Sequence, residues 1–319
     1  MKFSIHLLPL TAFLATAFGE NVSLQPEQPS RPESSSSIAT LVWQDDFENF
    51  PDDNQDGRPE WHPKYDGFEN DETENWHIID KAQAEAEGVD ISRIYGNRLY
   101  RGEITGPDTK SHRAYPLAHF DDEGYGAQLD FPEGIPSPLV NQWYVWWDPQ
   151  GQELSGDKWM HFATWSNNVN WVVNTLTVVK GDSEPYVLNI AGGKKVDSVE
   201  YFADRAVPTR QWIRFTAYID YSKRNGEGAE KGGLIAVWMN GVLIGIAKGG
   251  NLAPDATLAR GYPLGTTNLL RAHWGVYASK DCDRGLWYED LNRIWTLDAP
   301  LTNFSKEPEA PPTRDPLAP

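Results

Sequence analysis

Apolar and polar residues alternate along four successive runs in the last third of the chain, which predicts strands with one buried and one solvated face. The runs are Q-W-I-R-F-T-A-Y-I-D-Y-S from Gln211, G-L-I-A-V-W-M-N-G-V-L-I from Gly233, R-A-H-W-G-V-Y-A-S-K from Arg271 and G-L-W-Y-E-D-L-N-R-I-W from Gly285. In the second run, Asn-Gly separates two apolar segments and predicts a hairpin, because both central positions of a type I′ turn need positive φ. We expect the four runs to form a β-meander.

The order of these motifs resembles the C-terminal half of concanavalin-A-like jelly rolls, and among them the polysaccharide lyases that include heparin lyase I, glucuronan lyase and alginate lyases. In that family a Gly-x-Trp strand precedes a G-L-I-x-V-W-x-x-G hairpin, and an F-K-x-G-x-Y strand precedes a Y-x-D strand. The counterparts here are Trp212, residues 233–241, residues 273–277 and residues 288–290, with upstream matches at 143–149 and 161–165. The resemblance covers roughly residues 41 to 300.

This resemblance implies an all-β fold, a concanavalin-A-like β-jelly-roll sandwich of two antiparallel sheets, over residues 41–302. A chain of 319 residues could hold two domains. All-β sandwiches often use more than 200 residues as one domain, however, so one domain with tails is the simpler interpretation.

Both ends of the chain differ from this domain in composition. Residues 1–19 combine Lys2, an apolar stretch and small residues near Gly19, which is typical of a secretory signal peptide and too short for a membrane span. Residues 20–40 and 303–319 are rich in Pro or Ser and predict a disordered spacer and tail. We therefore expect a secreted or periplasmic protein with no membrane partner. The only cysteine, Cys282, excludes a disulfide framework.

The formal net charge of −18 is unevenly spread. Residues 41–100 hold 5 Lys/Arg against 16 Asp/Glu, whereas residues 201–300 hold 12 against 10. The acidic total argues against nucleic acid as a partner. It does not exclude an acidic glycan, because exposed charges more than about 8 Å apart are largely screened at physiological salt.

An acidic segment, D-D-N-Q-D-G-R-P-E, resembles the first half of a calcium-binding loop. Oxygen ligands alternate, and Gly57 after the third permits the sharp turn that brings them together. The candidate ligands are the side chains of Asp52, Asn54, Asp56 and Glu60 and the backbone carbonyl of Arg58. The twelfth position is Pro63 instead of the bidentate Glu of an EF-hand, so further ligands would come from elsewhere. A structural Ca²⁺ and a solvated acidic turn are the two interpretations.

The resemblance implies β-elimination on a uronate-containing polysaccharide. That reaction needs a group that neutralises the carboxylate, a base, and an acid for the leaving oxygen. Arg113 lies where the family has an Arg-containing strand, and Tyr277 matches the Tyr of G-x-Y. In residues 161–167 the family's Gln and His are replaced by Thr164 and Ser166. His161 or His112 would then substitute from another strand.

The candidate catalytic residues are thus Tyr277, His112, Arg113 and His161. The candidate substrate-binding residues are Tyr115, Trp165, Asn167, Trp146 and Lys280. Each histidine can alternatively be a buried, hydrogen-bonded core residue, and Tyr277 a half-buried strand aromatic. The chain has 14 Trp, and consecutive strand residues face opposite ways, so some, such as Trp146, would offer surfaces on which sugar rings stack.

Two functional classes remain open. The first is a secreted, monomeric polysaccharide lyase, and the second is a carbohydrate-binding jelly-roll module without catalysis, which the altered 161–167 segment favours. A glycoside hydrolase is a third alternative. A hydrolase needs two carboxylates, and a pair such as Glu289 with Asp290 could serve.

Overall fold

The computed structural model describes residues 39–48, 67–70, 74–121, 131–155, 158–167, 173–181, 186–193, 199–221, 234–248 and 268–311. The predicted signal peptide, most of the spacer and the candidate calcium loop at 52–60 lie outside these residues.

The regular secondary structure of the described residues is almost entirely β-strand, with one short helix, α1 (Lys81–Ala86), and a 3₁₀ turn at Ile91–Arg93. The strands are β1 (Ala39–Asp45), β2 (Gly67–Asn70), β3 (Glu74–Asp80), β4 (Arg98–Ile104), β5 (His112–His119), β6 (Ile135–Pro136), β7 (Leu139–Asp148), β8 (Met160–Ser166), β9 (Val173–Val179), β10 (Val187–Gly193), β11 (Val199–Ala206), β12 (Trp212–Asp220), β13 (Leu234–Met239), β14 (Val242–Lys248), β15 (Asn268–Leu269), β16 (Arg271–Ala278) and β17 (Gly285–Leu297).

Two large antiparallel sheets contain nearly all of these strands. Sheet 1 has the order β14-β13-β12-β7-β17-β4-β3, and β1 also pairs with β17. Sheet 2 has the order β11-β10-β9-β8-β16-β5-β2, and β6 pairs separately with β15. The predicted all-β sandwich of two antiparallel sheets is confirmed.

The four C-terminal runs are all strands, but they do not form one meander. Strands β12, β13 and β14 are consecutive neighbours in sheet 1, whereas β16 lies in sheet 2 and β17 returns to sheet 1 between β7 and β4. The predicted hairpin is confirmed, because Asn240 and Gly241 join β13 to β14 with φ of 52° and 84°. The local pattern thus identified the strands. Which sheet each strand joins depends on tertiary contacts.

The main core lies between the sheets and is unusually rich in tryptophan. Trp143, Trp165 and Trp274 have no exposed surface. The indoles of Trp165 and Trp274 both donate to Asn141 Oδ1, at 2.9 and 3.0 Å, and Asn141 donates in turn to the backbone oxygen of Arg293 at 3.0 Å. Because a buried amide is stable only when it is hydrogen-bonded, Asn141 anchors strands of both sheets.

The outer face of sheet 1 is covered at two places. Trp146, Tyr288 and Trp212 pack with α1 and the following turn in one cluster. In a second cluster the C-terminal segment crosses Trp238 and Tyr218, with the Phe304 ring 6.3 and 5.7 Å from theirs. The prediction that the tail is disordered from residue 303 is therefore wrong for residues 303–311. The Pro-rich composition of this segment does not indicate that Phe304 packs on Trp238 and Tyr218.

Candidate functional site

The centre of sheet 2 brings three candidate residues side by side. On neighbouring strands β8, β16 and β5, the register places Tyr277 of β16 opposite His161 on one side and Arg113 on the other. Residues opposite each other in antiparallel strands share a face, with Cβ atoms about 4.5–5.5 Å apart. One row across the sheet therefore presents an imidazole, a phenol and a guanidinium.

Aromatic contacts surround Tyr277 on this face. Its ring centroid lies 4.8 Å from His161, 5.1 Å from Trp159, 5.5 Å from His273 and 5.7 Å from Tyr115, each in an edge-to-face arrangement. Such geometry is favourable for aromatic pairs at 4.5–7 Å. We call these five residues, together with Arg113, the Tyr277 cluster.

The second half of the cluster is a stack of Tyr115 on His273. Their rings are 3.9 Å apart and 15° from parallel. Both side chains are nearly buried, at 3% exposure, whereas Tyr277 is half-buried and Arg113 is exposed. The stack therefore forms the buried part of the cluster, whereas Tyr277 and Arg113 lie closer to solvent.

Two strand irregularities aim these side chains outward. On β8 the register shifts between His161 and Ala163, and Phe162 and Ala163 both point into the core. A bulge of this kind lets two consecutive residues face the same way. His161 and Thr164 are consequently both on the outer face.

On β16 the irregularity lies between Trp274 and Tyr277, where Gly275 has φ of 94°. A Cβ at Gly275 would approach the backbone oxygen of Ala114 and the Tyr100 ring to 3.1 Å. Only glycine meets both the conformational and the steric requirement without strain.

Both histidines of the cluster are neutral at neutral pH. Burial among aromatic rings lowers the pKa of His161 to about 3, although one edge of the residue remains partly exposed. Its Nδ1 is buried and meets no hydrogen-bond partner among the described residues. Burial, with smaller contributions from His161 and Arg113, also holds the pKa of His273 well below its usual range. The imidazoles can therefore offer neutral N–H donors, and Arg113 carries the positive charge.

His112 is not part of this cluster. It has no exposed surface, and its Nε2 lies 2.8 Å from the backbone oxygen of Cys282. Neighbouring strand residues face opposite ways, so His112 points away from the side that carries Arg113. The alternative interpretation, a hydrogen-bonded core histidine, is the one that the structure shows.

Three predicted substrate-binding residues are also buried. Trp165 bonds to Asn141 between the sheets, Asn167 is 2% exposed, and Trp146 lies on sheet 1 with its ring edge-to-face to Tyr288. Because Trp165 is fully buried and Trp146 is only 2% exposed, neither ring can stack on a sugar, and all three positions are corrected from surface to interior. Trp146 does face away from the core between the sheets, but α1 and the following turn cover it, whereas Trp165 faces that core.

The remaining predicted residues have mixed placements. Tyr115 lies in the Tyr277 cluster. Lys280 is exposed in the turn after β16, where its backbone oxygen accepts a hydrogen bond from Asp108 N at 3.0 Å. The carboxylates considered for a hydrolase are interior: Glu289 is fully buried and Asp290 is 1% exposed. They do not present a pair of carboxylates to solvent.

Sequence reasoning overlooked His273 and Trp159 as members of the site. The signal for His273 was present, because His273 and Tyr277 are four positions apart in one predicted strand, and alternation places such residues on the same face. Trp159 precedes β8, and its contact with His161, at 4.4 Å between centroids, depends on the path of the chain into that strand.

Nothing in the described ranges clusters three or more His, Cys, Asp or Glu residues as a metal site would. Across the same ranges, no helix has the length and apolar character needed to cross a membrane.

Comparison with known proteins gives structural similarity only. No protein-family model and no curated protein sequence matches the chain. Among solved structures, endo-β-1,4-glucuronan lyase from the fungus Trichoderma reesei is 12% identical with a TM-score of 0.47, covering 81% of this chain and 96% of the lyase. The cellulose-induced protein Cip1 is 14% identical with a TM-score of 0.45, covering 79% and 96%.

A more distant match is the CBM40 domain of a Ruminococcus gnavus IT-sialidase bound to α2,3-sialyllactose. It is 9% identical with a TM-score of 0.31, covering 60% of this chain and 89% of the domain. At these identities and TM-scores the similarity is one of fold alone. It carries no conclusion about activity.

Proposed function

We propose that this protein is an exported lyase that cleaves a uronate-containing polysaccharide by β-elimination at the Tyr277 cluster. The observation that carries the proposal is the convergence of Tyr277, Arg113 and His161 in one cross-strand row. Export rests on the N-terminal segment. A structural Ca²⁺ in the 52–60 loop is part of the same proposal.

The reaction needs no external reactant. A base removes the proton from the carbon next to the uronate carboxylate, and the released electron pair forms a carbon–carbon double bond. The bond to the glycosidic oxygen on the following carbon breaks, and that oxygen takes up a proton. The products are an unsaturated uronate and a new chain end, so a phenol that accepts and then donates one proton can complete the cycle.

Tyr277 is suited to that proton transfer because of Arg113 on the adjacent strand. An ordinary Tyr has a pKa near 10 and is a poor base at neutral pH. A guanidinium on the opposing residue favours the phenolate by charge attraction. Arg113 also matches a carboxylate with two parallel N–H groups, so it can hold the substrate's acid while Tyr277 acts.

The neutral histidines act as hydrogen-bond donors in this proposal and not as bases. A group with a pKa near 3, such as His161, holds a proton too weakly to take one from carbon. Its ring N–H can still bind the substrate carboxylate or a hydroxyl group. His273 fixes the plane of Tyr115 by stacking at 3.9 Å, which keeps the base of the site rigid.

The test is a product assay on glucuronan, alginate, heparan-type and ulvan-type polymers. A lyase generates unsaturated uronates that absorb in the ultraviolet, together with a falling polymer mass. We expect one of these polymers to yield such products with the parent protein and not with Tyr277→Phe. The proposal fails if the parent releases no unsaturated product from any of them.

A second candidate, a carbohydrate-binding module, is favoured by the low pKa of His161 and His273, which removes the usual general base. Aromatic rings and an exposed Arg113 would suffice for binding an acidic glycan. In affinity electrophoresis such a module would be retarded by a polymer that it leaves intact.

A further inference from the structure

A second concave site lies on the outer face of sheet 1, on the opposite side of the sandwich from the Tyr277 cluster. It is a cavity of about 350 Å³. Its lining residues are Arg93, Tyr144, Trp212, Arg214 and Asn240. Pockets of about 300–1,000 Å³ suit small-molecule ligands. Two guanidiniums, a phenol, an indole and an amide in one such cavity indicate a polar, anionic ligand.

One edge of this cavity already holds a carboxylate supplied by the chain. Arg214 donates from Nε to Glu307 Oε1 at 3.1 Å and from Nη2 to Oε2. Thr216 Oγ1 also donates to Oε1, and Gln142 Nε2 does so at 3.3 Å. Two donors of one guanidinium binding both oxygens of an acid is the strong, specific form of carboxylate recognition. The cavity is thus built beside a carboxylate-binding arrangement.

Donors on the other side of the cavity are not used in this way. Arg93 is exposed and makes no ion pair within 4 Å with any residue that the structure describes. Asn240 accepts from Arg214 N through Oδ1 at 2.9 Å, which leaves its Nδ2 group as a donor at the rim. A ligand would therefore meet an exposed guanidinium that makes no close ion pair with a described residue, and an amide N–H₂.

The local charge has the sign that an acidic ligand requires. Near Arg214 lies Arg293, whose Nη2 donates to Gln142 and whose buried Nε finds no acceptor among the described residues. The opposing acids are Glu307, bound to Arg214, and Asp90, which interacts electrostatically with Arg93. The residues that line the cavity include two arginines and no acid, although the whole chain carries −18.

We propose that this cavity binds an acidic sugar unit, with Arg93 pairing its carboxylate and Asn240 and Tyr144 contacting its hydroxyl groups. Trp212 limits the depth of the cavity, since its indole donates to the backbone oxygen of Asp90 at 2.7 Å and is held in place. The site would hold a polymer on sheet 1 while another part of it reaches sheet 2. The choice of an acidic sugar rests on the proposed function, but binding in this cavity does not depend on catalysis at Tyr277.

The experiment is an NMR titration of the full chain with a glucuronate disaccharide, using an uncharged glucose disaccharide as the charge control. The amide signals of Asn240 and Gly241 report on this cavity, and those of Ala278 and Ser279 report on the Tyr277 cluster. We expect saturable shifts at Asn240 with the acidic sugar only. Arg93→Ala should weaken that binding roughly tenfold or more, the scale of one charge-assisted hydrogen bond.

The matched control is Arg284→Ala, which removes another exposed guanidinium from the turn before β17 and should leave the Asn240 shifts unchanged. Equal affinity for the two disaccharides, or unchanged affinity in Arg93→Ala, would overturn the proposal. Failure of the lyase proposal is seen separately, as absence of unsaturated products while the Asn240 shifts persist.

Discussion

Glu289 of β17 accepts a hydrogen bond from the backbone N–H of Gly275 in β16, with 2.6 Å between N and Oε1. This fully buried acid links sheet 1 to sheet 2 directly beneath the Tyr277 cluster. Gly275 lies between His273 and Tyr277, so the bond holds the strand irregularity that aims both side chains. An interior carboxyl group therefore supports a site that it does not touch.

Burial raises the pKa of Glu289 well above its usual range, which predicts a pH dependence of stability. The folded state keeps a proton that the unfolded chain releases above about pH 4.3, so this group's contribution to the free energy of unfolding falls as pH rises through the folded pKa. Glu289→Gln keeps an acceptor for Gly275 but cannot ionise. In the parent, the free energy of unfolding should decline by up to about 1.4 kcal/mol per pH unit because of this group. We expect Glu289→Gln to lack that decline.

The measurement is urea unfolding of both proteins from about pH 5 upward. The difference between the two proteins isolates Glu289 from Cys282, whose pKa burial raises to about 12 and which lowers stability in the same direction at alkaline pH. Asp290, with a pKa raised by burial to about 6, contributes the same sign at lower pH. His161, with its pKa lowered to about 3, contributes the opposite sign there. The exposed control Glu85→Gln should behave as the parent. An unchanged dependence of the free energy of unfolding on pH in Glu289→Gln would contradict the prediction.

Tyr277→Phe removes one hydroxyl group and keeps the edge-to-face contacts with His161 and Trp159. Turnover of the cleaved polymer should drop by a factor of about 10² or more, as expected for a lost acid–base group, while glycan retention and melting temperature stay near the parent's. Tyr95→Phe, at a ring that is 54% exposed, is the matched control and should keep full activity. Near-normal turnover in Tyr277→Phe would show that another group transfers the proton.

Arg113→Lys tests whether the guanidinium fork or only the charge is needed. An ammonium is a point charge and cannot make two parallel hydrogen bonds to a carboxylate, so kcat/KM should fall by about tenfold or more in spite of the conserved charge. Because Arg113 is exposed, the folded state should be unaffected. Arg284→Lys supplies the control for the same exchange elsewhere. Kinetics equal to the parent's in both Arg113→Lys and Arg113→Ala would mean that the residue has no role in binding.

Phe304→Ala should lower the free energy of unfolding by about 1–2 kcal/mol through lost apolar burial and ring contacts. Its ring stacks near Trp238 and packs edge-on to Tyr218. Thr302→Ala, at an exposed neighbouring position, should change stability little. Denaturant unfolding measures both. If the two variants were equally stable, the C-terminal segment would not contribute to the sandwich.

Calcium should raise the melting temperature through the 52–60 loop, because a ligand that binds only the folded state stabilises it by mass action. Asp56→Ala should abolish the difference between calcium and chelator. Asp53→Ala removes a neighbouring acid that falls between the alternating ligand positions, and it should retain the shift. Identical melting of the parent with and without chelator would exclude a structural Ca²⁺.

The local sequence was sufficient for features that depend on a few neighbouring residues. Alternation identified strands β12, β13, β16 and β17, and Asn240-Gly241 specified a turn with two positive φ angles. Matching residues by motif also selected Arg113 and Tyr277, which share the cluster. These features follow from side-chain period and backbone conformational preference, both of which act over short distances.

Tertiary structure decided which of these residues meet. His161 is more than 100 residues from Tyr277 along the chain, and only the pairing of β8 with β16 makes them neighbours. The bulge on β8 turned His161 outward, while strand parity turned His112 inward toward Cys282. Likewise, Glu307 belongs to a segment whose composition predicts disorder, yet it is held by Arg214 because sheet 1 supplies donors for its carboxylate. Composition and period cannot encode a partner that is brought near by the fold.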